Sequence, residues 1–133
     1  MFKTVLYPID HSLESLQAAE TVVKIVEFCN SNLVLLSVVT VPEGEDQEQS
    51  VSPQAIADLL ERAQALFVQQ GIAAKVMERE GKPAFVICDV ADETNADVII
   101  MGCRGLGLTE EGVADSVTNR VINLSPCPVL VVP

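Results

Sequence analysis

Apolar positions along this chain follow two rhythms, one suited to strands and one to helices. Residues 2–9 are rich in β-branched and aromatic side chains without clean alternation, which predicts a strand covered on both faces. Asp10-His11-Ser12 ends it, and Ser12 is placed to cap a helix running to about Asn30. Leu16, Ala19, Val23 and Val26 recur at helical spacing and form its expected inward stripe. Residues 32–41 are a second, strongly apolar strand, and residues 42–52 an acidic loop. Ser52-Pro53 starts the next helix, with proline at its first position. Ile56, Leu59, Leu60, Ala63, Leu66 and Phe67 give it an apolar face, and Gly71 stops it.

Residues 72–78 alternate more, as a strand nearer a sheet edge does. Gly81-Lys82-Pro83 turns into a helix with Val86, Ile87, Val90 and Ala91 inward. Residues 98–101 form a short buried strand that breaks into the glycine-rich run Gly102-Cys103-Arg104-Gly105-Leu106-Gly107. A polar, acidic segment follows, then a helix to Leu124 and a last apolar strand at Val129–Val132.

Strands alternating with helices imply βαβ units, hence an α/β fold with a parallel sheet and helices on both faces. Such sheets take ligands beyond the carboxyl ends of their strands, where the winding reverses. The residues at those ends are Asp10, residues 38–41, Gly81 and Gly102, of which Asp10 and Gly102 look least like packing. A strand that ends in a glycine-rich turn and leads into a helix presents backbone N–H groups to an anion.

The length of 133 residues fits one domain, 1–133, with an apolar fraction of 49%. The net charge of −11, from 19 acidic residues against 8 Lys and Arg, argues against nucleic acid and anionic membrane surfaces as partners. No apolar run reaches the roughly 20 residues of a membrane span, and a cytoplasmic location is expected. Cys29, Cys88, Cys103 and Cys127 contain no C-x-x-C pair; Cys29, Cys88 and Cys127 read as small core residues. Cys103 lies in the glycine turn beside Arg104, and an enzyme using it is a third-ranked reading because no base partner is apparent. His11 reads as a surface turn residue.

The glycine turn is not a Walker A loop, because no Gly-Lys-Ser/Thr follows, and it does not sit after the first strand as a Rossmann fingerprint would. Gly102-x-x-Gly105, nine further residues, then Asp115-Ser116-Val117, and the ending Pro126-Cys127-Pro128-Val129-Leu130-Val131-Val132 together resemble the universal stress protein (UspA) family. Residues 5–12 resemble its opening strand and Gly81-Lys82-Pro83-Ala84 its third-strand turn, so the likeness runs the length of the chain. The resemblance implies a three-layer, adenine-nucleotide-alpha-hydrolase-like fold with a five-stranded parallel sheet in the order 3-2-1-4-5. It also implies a cleft for ATP, with Mg²⁺, whose adenine and ribose lie against Pro8, Ile9, Asp10 and Val38. The phosphates would run past Met101, Gly102, Arg104, Gly105, Ser116 and Val117. No general base or arginine finger can be assigned, so turnover is at most slow ATP hydrolysis.

Asp115 stands where the family has glycine. A carboxylate about 4 Å from a phosphate near a surface repels it by up to ~4 kcal/mol, roughly three decades of affinity. Two ligand classes therefore stay open. The first is ATP with a bridging Mg²⁺. The second is AMP or adenosine, or a dimerisation module that binds no phosphate. The uncharged last strand, Val129–Val132, falls at a sheet edge in the family order, and the resemblance implies a homodimer paired through it.

Overall fold

The computed structural model describes residues 2–9, 18–39, 53–102 and 117–132. Within them the order is β1 (Thr4–Ile9), α1 (Ala19–Cys29), β2 (Asn32–Val39), α2 (Pro53–Gln69), β3 (Ala74–Glu80), α3 (Pro83–Glu93), β4 (Val98–Gly102), α4 (Val117–Leu124) and β5 (Val129–Val132). The five strands form one parallel sheet in the order β3-β2-β1-β4-β5, as expected.

Alternation along each strand sorts the core into two layers. Val5, Tyr7, Ile9, Leu33, Leu35, Val98 and Ile100 pack against Ala19, Val22 and Val26 of α1 and against Leu60, Ala63 and Phe67 of α2. Leu6, Val34, Leu36, Ile99 and Met101 pack against Ala84, Ile87, Val90 and Ala91 of α3 and against Val121 of α4. So α1 and α2 cover one face and α3 and α4 the other. The central strands are apolar at successive positions because both faces are covered; β2 is buried from Leu33 through Ser37. At the β3 edge only Ala74 is buried.

The helix ends follow local chemistry. Asn30 closes α1 in the left-handed conformation at φ 53°, its N–H donating to Val26 O. Gly71, at φ 79°, ends α2, and the Ile72 N–H reaches back to Phe67 O at 2.9 Å. Pro83 sits in the first turn of α3, where its missing N–H is harmless.

Several expectations shift by a residue or two. In α1 the buried positions are Ala19, Val22 and Val26, while Val23 is half-buried. Leu66, expected inward, is 39% exposed, because Ala63 and Phe67 already fill that side of α2. The third strand starts at Ala74 rather than residue 72 and extends to Glu80. Cys29, Cys88 and Cys127 are half-buried rather than core. Ser12, Leu16 and the acidic loop of residues 42–52 lie outside the described residues.

Candidate functional site

All five strands point the same way, so their carboxyl ends share one edge of the sheet. The chain winds from β1 outward through β2 to β3, then returns to lay β4 on the other side of β1. The reversal point is therefore the β1–β4 seam. Pairing there consists of Val5↔Val98 and Leu6↔Ile99. Continuing that register places Ile9 level with Gly102.

The walls on either side stand differently. Ile9 pairs with Ser37, and β2 continues past it to Val39, paired with Glu80. Two residues of parallel strand add roughly 6.6 Å, so Val38 and Val39 extend β2 that far beyond the level of Ile9, the last described residue of β1. Gly81 closes this wall, its N–H donating to Val39 O at 2.9 Å. Gly81 has φ +145°, and a Cβ built on it would stand 2.8 Å from Val86 Cγ2, so the turn into α3 is drawn for glycine. On the other side Gly102 pairs with Val132.

Of the expected site residues, Pro8, Ile9, Val38, Met101, Gly102 and Val117 are described, and all stand at this edge. Ile9 and Met101 are buried; Pro8, Val38, Gly102 and Val117 are half-buried. Val38 and Val117 pack against the same core layer as Met101. Asp10, Arg104, Gly105 and Ser116 lie outside the described residues, as do Cys103, His11 and Asp115.

Two features escaped the sequence reading. Thr118, in the first turn of α4, donates its hydroxyl to Gly102 O at 3.2 Å, linking the start of that helix to the end of β4. Its signal was a hydroxyl residue just past Ser116-Val117. Ser37, two residues before the end of β2, is buried at 3% exposure, the buried polar residue among those described. Its signal was a polar position inside the apolar run 33–39.

None of the six described lip residues carries a charge. The charged residues Glu78, Arg79, Glu80 and Lys82 stand at the end of β3, two strands from the seam. At the usual strand spacing that is about 10 Å, near one Debye length in physiological salt, so their influence on the seam is weak. The acidic residues Asp10, Glu110, Glu111 and Asp115 lie outside the described residues. Away from this edge, the Cys88 thiol is pushed above its ordinary value by burial, then by the neighbouring charges of Asp89 and Cys127. That environment suppresses the thiolate and does not make a nucleophile.

A family model described as "Universal stress protein family" matches residues 1–133. Universal stress protein Sll1654 of Synechocystis is 64% identical over 136 residues, covering 100% of this chain and 87% of that protein. Among solved structures, hypothetical protein MJ0577, described under a structure-based assignment of its biochemical function, superposes with a TM-score of 0.83 at 28% identity, over 99% of this chain and 96% of that one. A universal stress protein solved in complex with cAMP superposes with a TM-score of 0.82 at 24% identity, over 99% and 97% of the two chains. No described helix is long and apolar enough to cross a membrane.

Proposed function

The chain belongs to the universal stress protein family, and from that premise we propose that it binds an adenine nucleotide in the crevice between the carboxyl ends of β1 and β4. The observation that carries this reading is the β1–β4 seam itself. It is the reversal point of the sheet, its pairing stops short of both strand ends, and Gly102 stands on its rim. The fold is shared with a universal stress protein solved in complex with cAMP, which supports this reading.

In this reading the adenine and ribose lie against Pro8, Ile9 and Val38, and Asp10 accepts hydrogen bonds from the ribose hydroxyls. The phosphates follow Met101, Gly102, Arg104, Gly105, Ser116 and Val117, where glycine permits close approach and a helix start supplies N–H donors. ATP with Mg²⁺ is the fuller ligand, the ion relieving repulsion between the phosphates and the acids near Asp115. The protein then acts in the cytoplasm as a two-fold symmetric dimer joined through β5, sensing or reporting nucleotide state, with turnover at most slow.

A second reading takes AMP or adenosine as the ligand. Asp115 in the place of the family glycine favours it, because a shorter phosphate chain avoids that carboxylate. Titration calorimetry with ATP, AMP and adenosine, each with and without Mg²⁺, separates the two. Tight MgATP binding that Asp115→Gly strengthens, by up to about three decades, supports the first. Binding of AMP but no triphosphate, even in Asp115→Gly, leaves only the second. No binding of any of the three overturns both.

A further inference from the structure

We propose that Pro8 holds the β1–β4 seam open at its carboxyl end, and that Thr118 anchors the opposite lip to α4, so that both are positioning residues for the nucleotide. The inference rests on the reading above for its ligand, but the seam geometry stands on its own observations.

Successive residues of a parallel strand direct their backbone groups to alternate neighbours. Lys3 O accepts from Asn32 N at 2.7 Å, so odd-numbered positions of β1 face β2. Thr4 O accepts from Asp97 N at 2.8 Å, so even-numbered positions face β4. Pro8 is even-numbered, and its nitrogen carries no hydrogen. A pairing of Tyr7 with Ile100, the next rung above Leu6↔Ile99, would need the amide of residue 8 as donor to Ile100 O. The ladder stops at that rung. On their other sides both strands stay paired to their ends, β1 with β2 through Ile9↔Ser37 and β4 with β5 through Gly102↔Val132. Proline is ordinarily kept out of central strands because it deletes a ladder bond. Here it deletes one in the middle strand of the sheet, on the side that faces the proposed nucleotide site.

The opposite lip is treated in a complementary way. Ile99 N donates to Pro128 O at 3.0 Å on the β5 side, so odd positions of β4 face β5 and even positions face the seam. Gly102 is even-numbered, and its carbonyl accepts from the Thr118 hydroxyl at 3.2 Å. That bond engages an acceptor that would otherwise repel an incoming phosphate, and it fixes the rim of β4 to the first turn of α4.

The test restores the missing donor. Pro8→Ala gives position 8 an amide able to complete the next rung. The expected result is slow hydrogen exchange at that amide by NMR, an unlowered Tm, and AMP and ATP affinities weakened by about tenfold or more. A variant that merely lost stability would show a lower Tm without a protected amide. Free exchange at position 8, or unchanged affinity with that amide protected, overturns the proposal. Should Pro8→Ala not fold, the pair Thr118→Val and Thr118→Ser decides. Weaker nucleotide binding in the first, restored in the second, supports the anchored lip, and wild-type affinity in Thr118→Val overturns it. If the wild-type protein binds no adenine nucleotide at all, the functional reading fails, while exchange at position 8 still decides whether proline parts the strands.

Discussion

Gly81 shows how much one residue at the site edge can carry. Its φ of +145° is open to glycine and strained for other residues, and its missing Cβ leaves room for Val86 at 2.8 Å. Gly81→Ala is therefore expected to lose about 1–3 kcal/mol, read as a lower urea midpoint at unchanged m. An unchanged midpoint would mean that the turn relaxes at no cost. The sequence flagged this glycine as a turn but could not show the Val86 contact, which depends on how α3 leaves the strand. The same limit explains Val23 and Leu66. Helical spacing found the stripe in each helix, but which of two adjacent apolar residues points inward depends on the rotation of the helix over the sheet. Asp97 is another residue whose work is invisible in sequence. Its carboxylate accepts from both Lys3 N and Thr4 N at 2.9 Å, fastening the start of β1 beside the start of β4 at separations of 94 and 93 residues.

The two edge strands differ in character. The β3 edge is guarded by exposed Lys75, Glu78, Arg79 and Glu80. The β5 edge offers Val129, Leu130, Val131 and Val132, with Leu130 37% exposed. Charge on an edge blocks strand addition, and an uncharged edge invites it. Leu130→Lys is expected to convert a dimer of this chain to a monomer at micromolar concentration, measured by light scattering on a sizing column. A wild-type protein already monomeric there would remove β5 as the pairing strand. The strand types were legible from composition, since an alternating run with charges and a continuous apolar run look different on paper. That β5 is the edge and not the centre was carried by the family order, because its apolar run alone would equally suit a buried strand. Helix α4 buries Val121 fully, and Thr118 adds a polar tie to Gly102, as Gln64 of α2 does to the Ala74 carbonyl of β3.

At the scale of the molecule, the chain carries an excess of 11 negative charges, while the six described residues at the β1–β4 edge are neutral. The long-range field opposes any polyphosphate, and salt screens it. Raising salt from about 20 to about 200 mM is expected to strengthen ATP binding several-fold and to leave adenosine unchanged. An ATP affinity that falls with salt would show a cationic site outweighing the acidic background.

By itself the sequence determined the α/β class, the parallel sheet and the family. Burial of apolar runs and the short list of helix-breaking residues are local enough to be read in order along a chain. Only the tertiary structure decided how far each strand stays paired with its neighbour. It turned Pro8 from a residue near an expected site into the point where the β1–β4 ladder ends, and it brought Thr118 onto Gly102 across sixteen positions of sequence. Register and the side to which a backbone group points belong to pairs of strands, and no single stretch of sequence contains them.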